Sequence, residues 1–230
     1  KTMTKAQERW SSMTCNLLKV NLNKLPGSSD VCKDKKTIIL FNHKTWSDFF
    51  VHDKILDYSA NFLSRYMVAL VMPFALFISP LMKSLWFFNR GNGGKRDFEK
   101  FYQWIDYKWN KSKRNNLLVY PEGHRMFNSV KPGILKKGML RFAFDKQLPV
   151  QIAISMGNEN LINEKKFIIT RGSTISYFID KLIFSKDYKD FDSFFQHVDK
   201  RFSELFFQVY KIHYNKEISD NGDIQDKKQN

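Results

Sequence analysis

Residues 37–48 read TIILFNHKTWSD. The first five, Thr37–Phe41, are apolar and rich in β-branched side chains, with lysines before them and Asn42-His43 after. That pattern predicts a short buried strand that stops at polar residues. The same grammar recurs along the chain. Strands are predicted over residues 62–65, 85–89 (LWFFN), 117–120 (LLVY), 149–155 (PVQIAIS), 167–170 and 174–178. Helices are predicted over 49–56, over 97–110 with Phe98, Phe101 and Ile105 on one face, and over 137–145. A long amphipathic helix carries Phe191, Phe194, Phe195, Val198, Phe202, Leu205, Phe206 and Val209. Strands alternating with helices imply an α/β fold: a single domain with a mixed central sheet of about seven strands flanked by helices.

Two stretches stand apart. Near the N-terminus Met3, Ala6, Trp10, Met13, Leu17 and Val20 recur at helical spacing and predict an amphipathic helix. Such a helix fits two roles, packing on the domain or lying on a membrane. A loop follows at residues 25–30 (LPGSSD). Residues 66–82 form an uncharged run of 17 between Arg65 and Lys83, broken by Pro73 and Pro80. A broken helix, buried or dipping into an interface, suits it better than a full membrane span.

Composition narrows the partners. The 230 residues carry 38 Lys and Arg against 23 Asp and Glu, a formal charge of +15, with 22 Phe. A mean hydropathy of −0.45 excludes a chain built mainly of membrane spans. The apolar content excludes a disordered basic protein. The polar tail from Asn215, read as frayed, holds three Lys against four acids, so the folded remainder carries +16. The partner is therefore anionic: nucleic acid, a phospholipid surface, or a phosphorylated or CoA-linked small molecule. Two cysteines, Cys15 and Cys32, make no disulfide framework, and five scattered His give no zinc spacing, so no metal is expected. No secretory signal is visible. The first residue is Lys rather than Met, which leaves room for an upstream anchor.

Three clusters follow directly on predicted strands, where ligands of α/β sheets gather. The first is Asn42 to Asp48. His43 and Asp48 come within reach if the chain turns into a helix after His43. A carboxylate on one ring nitrogen then fixes the tautomer and makes the other a general base. The alternative is a loop histidine beside a helix-capping acid. The second cluster, residues 89–96, places Arg90, Lys95 and Arg96 among three glycines, suited to a phosphate or to plain solvation. It has neither Walker nor Rossmann spacing. The third, residues 120–125, sets a sharp Pro121-Glu122-Gly123 turn with Glu122 and Arg125 near the sheet edge. Ser47 lacks a nucleophile motif. His52 is read as structural or exposed, because its neighbour Asp53 cannot face it on a helix. His197 and His213 are read as surface residues of the last helix.

Together these clusters resemble the glycerolipid acyltransferases: the 1-acylglycerol-3-phosphate acyltransferases and their glycerol-phosphate and lysophospholipid relatives. The family's first block is Asn-His-x-Ser-x-x-Asp, with Thr45 here at the Ser position. Its third is Phe-Pro-Glu-Gly-Thr-Arg, with Tyr120 and His124 here in place of Phe and Thr. Leu135-Lys136-Lys137-Gly138 is similar to the family's Phe-Lys-Lys-Gly. Leu148-Pro149-Val150 resembles its fourth block, although Ile152 stands where a second proline is expected. The resemblance covers about residues 37–155.

The resemblance implies residues 1–36 as a membrane-associating helix and loop, 37–214 as the acyltransferase domain and 215–230 as a polar tail. It implies that His43, oriented by Asp48, deprotonates an acceptor hydroxyl, which attacks the thioester of acyl-CoA. Arg90, Glu122, Gly123 and Arg125 match positions that bind the acceptor. Lys95, Arg96 and His124 are candidate contacts for phosphate or CoA, with His124 equally able to fill a loop. The expected acceptor is lysophosphatidic acid, giving phosphatidic acid; glycerol-3-phosphate and other lysophospholipids are the alternatives. No cofactor is expected beyond acyl-CoA as co-substrate. The expected setting is an anionic membrane surface on its cytosolic face, with no oligomeric state indicated. Nucleic-acid binding is disfavoured because the aromatics do not interleave with basic residues in an RNA-binding block. A lipid-binding relative without catalysis is disfavoured by the intact His43 and Asp48.

Overall fold

The computed structural model describes residues 5–65, 83–88, 97–218 and 224–226. Its elements run α1 (Lys5–Leu17), β1 (Asn21–Lys24), β2 (Thr37–Phe41), α2 (Asp48–Ile55), β3 (Ala60–Arg65), β4 (Leu85–Phe88) and α3 (Phe98–Asn110). Next come β5 (Asn116–Val119), α4 (Lys137–Asp145), β6 (Pro149–Met156), a helical turn α5 (Asn158–Leu161), β7 (Ile162–Asn163) and β8 (Ile168–Ile169). The chain closes with β9 (Thr174–Phe184), a 3-10 turn, α6 (Phe191–Tyr214), β10 (Lys216–Ile218) and β11 (Ile224–Asp226). The uncharged run 66–82 lies outside the described residues. Among those described, no helix is long and apolar enough to cross a membrane.

Seven strands form one mixed sheet in the order β1-β9-β6-β2-β5-β3-β4, with β2 at its centre. The five strands from β6 to β4 are parallel; β9 runs antiparallel to β6, and β1 parallel to β9. Side chains of β2 point alternately to two cores. Ile38 and Leu40 face one with Phe142, Phe194, Phe202 and Phe206, from α4 and α6. Ile39 and Phe41 face the other with Phe50, Val51 and Ile55 of α2. Helices thus cover both faces, and each fully buried Leu, Ile or Phe stabilises the fold by roughly 1.5–3 kcal/mol. Because β2, β5 and β6 are parallel, the residues that follow them converge on one sheet edge.

The count of seven strands holds, but one member differs from expectation. The strand read at 167–170 shrinks to β8, which pairs only with β7 in a separate hairpin. The seventh strand is β1, whose polar sequence NLNK carries no apolar signal because it forms an exposed edge. β9 also runs to Phe184, past the expected end at 178. Asp180 interrupts its apolar pattern, yet Arg201 of α6 holds that carboxylate with two hydrogen bonds, at 2.6 and 3.0 Å. In the tail, β10 and β11 pair antiparallel.

The N-terminal amphipathic helix is present as α1, and its apolar stripe only partly packs on the domain. The helix buries Gln7, Ser11 and Cys15 against α2, where Ser11 Oγ donates to Asp53 at 2.7 Å. Trp10 packs edge-on against Phe50. Met13 and Leu17 point outward, 70% and 68% exposed. Polar partners on α2 rotate the helix away from its most apolar face.

Candidate active site

Where β2 ends, Asn42 locks onto the neighbouring strand. Its Nδ2 donates to the Ser155 carbonyl at 2.9 Å, and its Oδ1 accepts from the Ser155 N–H at 2.8 Å. The chain then leaves the sheet at His43 and turns at once into α2, whose first residue is Asp48. This buried carboxylate organises the turn. Oδ2 accepts from His43 Nδ1 at 2.7 Å and from the backbone N–H groups of Lys44 and Thr45 at 2.6 and 3.0 Å. Oδ1 accepts from Asn158 Nδ2 at 2.8 Å. Burial alone would push the Asp48 carboxyl up, but the nearby histidines and the Lys44 N–H more than reverse this and hold it below the ordinary carboxylate range. Asp48 is therefore ionised, and His43 carries its proton on Nδ1. Ser47 is buried, bonded to Thr45 and to the Asn158 carbonyl, and serves the turn.

Tyr120, just beyond β5, stacks on the His43 ring with centroids 4.0 Å apart. Its hydroxyl meets His52 Nδ1 at 3.1 Å, and His52 Nε2 meets Ser155 Oγ at 2.8 Å. Phe41 stacks on the His52 ring, with centroids 3.6 Å apart. Burial pushes His52 down to about 3, outweighing the pull of Asp48, so its ring is neutral. Of the two roles open to His52 it takes the structural one and is not exposed. Asp53 turns instead toward Ser11 and Arg114. His213, expected at the surface, is half-buried with Nδ1 at 3.0 Å from Ser176 Oγ, because α6 packs its last turn against β9. His197 is exposed.

Glu122 faces inward. It is fully buried, with Oε2 accepting from the His43 N–H at 2.9 Å and Oε1 from the Gly133 N–H at 2.8 Å. Burial raises its pKa, while those two N–H groups draw it back. Gly123, at φ 75°, makes the turn that sends His124 and Arg125 toward the open side. Arg125 lies over the Trp46 ring at 4.5 Å and gives its Nε–H to Glu164 at 2.9 Å.

These residues border a cleft of about 1350 Å³. His43, Gly123, His124 and Arg125 line it, with Lys136 and Lys137 as further cations and Phe49, Leu63, Phe88 and Phe101 as an apolar wall. Of the sequence-derived site residues, the structure thus brings His43, Asp48, Glu122, Gly123, His124 and Arg125 to one sheet edge. Arg90, Lys95 and Arg96 lie outside the described residues. Asn158, Ser155 and the Tyr120–His52 pair were not anticipated. A signal for Asn158 existed: β6 also ends abruptly, in Gly157-Asn158, as the other strands do.

A family model described as Acyltransferase matches residues 21–155. Among solved structures, the 1-acyl-sn-glycerophosphate (LPA) acyltransferase PlsC of Thermotoga maritima superposes with a TM-score of 0.67 at 18% identity, covering 91% of this chain and 79% of that one. A comparison with curated proteins gave no match. Likeness at that identity establishes a shared fold. The family model reaches further, since it spans more than half of the sequence and contains both His43-to-Asp48 and Pro121-to-Arg125, so the chain belongs to the acyltransferase family.

Proposed function

We propose that the protein transfers a fatty acyl group from acyl-CoA to the hydroxyl of lysophosphatidic acid, giving phosphatidic acid. The observation that carries this reading is the bond from His43 Nδ1 to the ionised Asp48, on a histidine that lines the cleft. With Nδ1 protonated and held, Nε2 is the free base. It takes the proton of the acceptor hydroxyl as that oxygen attacks the thioester carbonyl. The tetrahedral intermediate then collapses, the carbon–sulfur bond breaks, and the proton on His43 passes to the departing CoA thiolate. Binding both substrates in one cleft supplies the proximity, so no acyl-enzyme is required.

The cations beside the cleft suit the acceptor phosphate and the phosphates of CoA. Arg125, Lys136 and Lys137 are candidates on geometry, and Arg90, Lys95 and Arg96 on motif and charge. Glu122 acts on this reading by fixing the His43 backbone rather than by touching substrate. The apolar wall suits an acyl chain. A product destined for a bilayer places the enzyme at an anionic membrane surface.

The test is thiol release from acyl-CoA with lysophosphatidic acid, glycerol-3-phosphate and other lysophospholipids as acceptors, on wild type and His43→Ala. Release that requires lysophosphatidic acid and is lost in the variant supports the reading. Equal release in the two proteins overturns the mechanism, and preference for another acceptor overturns the substrate.

A further inference from the structure

The hairpin β7–β8 carries an exposed apolar segment beside the cleft mouth. Phe167 is 94% exposed, and Ile168 and Ile169 are 50% and 60% exposed. Phe167 also sits at φ 54°, a backbone region that a bulky side chain rarely adopts. Strands of two residues do not hold a hairpin by themselves. This one is tied to the site at its near end, where Glu164 bonds Arg125 and Lys165 lines the cleft. At its far end Thr170 donates to the Leu161 carbonyl, and Arg171 donates Nε–H to the carbonyl of Leu17 on α1. The hairpin therefore bridges the cleft mouth and the end of α1 that presents the exposed Met13 and Leu17. Lys165, Lys166 and Arg171 flank the apolar tip and are all exposed.

We infer that this hairpin docks the enzyme on an anionic lipid bilayer, its Phe167–Ile169 tip entering the acyl boundary while Lys165, Lys166 and Arg171 meet lipid phosphates. The occupant is chosen by charge and place. An apolar tip within a basic collar complements an apolar layer beneath anionic headgroups. Continuity with the cleft puts the bilayer where a lipid acceptor would leave it, and here the inference rests on the proposed acceptor class.

The full chain is floated with vesicles of phosphatidylcholine alone and with about one-third phosphatidylserine. Wild type binds the anionic vesicles more strongly, and salt weakens that binding. The double variant Phe167→Ser, Ile169→Ser loses roughly tenfold or more on both vesicles. Lys166→Glu loses roughly fivefold or more on anionic vesicles and little on neutral ones. These side chains are exposed, so thermal unfolding is unchanged. Phe167→Trp gives a second readout: its added emission shifts to the blue with vesicles. Binding by the double variant equal to wild type, or an unshifted Phe167→Trp, overturns the inference. So does a wild-type dimer that the double variant splits, since the tip then pairs with a second copy. Activity on an acceptor dissolved as a monomer separates the two readings. If the double variant keeps it but fails on vesicle-embedded acceptor, docking is supported. If wild type binds vesicles yet transfers no acyl group to any lysolipid, the proposed function fails and the docking surface stands.

Discussion

His43 and Asp48 meet at 2.7 Å between Nδ1 and Oδ2, and that carboxylate also accepts from two backbone amides of the turn between them. One buried group thus sets the tautomer of His43 and the path of the chain carrying it. On the proposed mechanism His43→Ala should lower acyl transfer by roughly 10²–10⁴-fold without unfolding the protein. Asp48→Asn should lower it comparably and also reduce the melting temperature, because an amide cannot accept from all of its present donors. Rates of thiol release beside thermal melts check both. An Asp48→Asn variant as active as wild type would mean that His43 needs no orienting carboxylate.

Tyr120 stands where the resembling family has Phe, and its two contacts separate cleanly. The ring stacks on His43, and the hydroxyl bonds the neutral His52. Tyr120→Phe keeps the stack and leaves His52 Nδ1 without its partner, so it should cost about 1–3 kcal/mol of stability with little change in rate. Tyr120→Ala should lower the rate roughly tenfold or more as the imidazole loses its support. Melting curves and initial rates distinguish them; a large rate loss in Tyr120→Phe would place the hydroxyl in the chemistry.

Arg125 faces the cleft mouth but already binds Glu164. On the proposed function, an acceptor phosphate bound by Arg125 would share that guanidinium with a carboxylate. Arg125→Ala should therefore raise the acceptor KM roughly tenfold or more with a smaller change in kcat. Glu164→Ala should lower the KM. A raised KM in Glu164→Ala would show that the carboxylate orients Arg125 instead of competing for it.

The central strand, the first and third motif clusters and most helices are legible in the sequence, because fully buried strands are continuous apolar runs and their ends are abrupt. What escaped was carried by polar residues whose partners are distant in sequence. β1 and the second half of β9 depend on an edge position and on Arg201, as no local pattern records. Asn158 lies 110 positions from Asp48. The local sequence of His52 carries no sign of its role, because its partners are distant: Tyr120 just beyond β5 and Ser155 in β6. Which face of α1 packs inward is likewise set at a distance: Ser11 is buried by its bond to Asp53 of α2.

That Asp53 also gives the protein a pH signature. Burial raises its carboxyl to about 6, against the pull of Arg114 and Ser11. Between the ordinary carboxylate value and about 6 the folded state holds more protons than the unfolded chain, so stability falls as pH rises through this window. Asp48, held low, contributes the opposite slope at more acidic pH. The difference in unfolding free energy between wild type and Asp53→Asn isolates the first effect. It should change between about pH 4 and 6 and be flat above. A difference that does not vary across that window would mean Asp53 is ionised throughout in the folded state.

Gly157 follows β6 directly, at φ 99°, immediately before the Asn158 that holds Asp48. A Cβ added there would lie 2.5 Å from the Thr174 carbonyl oxygen and 2.7 Å from the His213 ring. The carbonyl is sheet backbone and has little room to yield, so Gly157→Ala combines a strained backbone with a clash. Gly172, at φ 79°, has nothing within 4 Å of the corresponding position, and Gly172→Ala carries the strain alone. We expect about 1 kcal/mol of destabilisation from Gly172→Ala and roughly 3 kcal/mol or more from Gly157→Ala. Below both melting temperatures Gly157→Ala should also lose acyl transfer, because displacing Asn158 removes a donor from Asp48, while Gly172→Ala should retain it. Denaturant unfolding and thiol release on the two variants check this. Equal destabilisation would mean that Thr174 and His213 move aside, and full activity in Gly157→Ala would detach Asn158 from the orientation of His43.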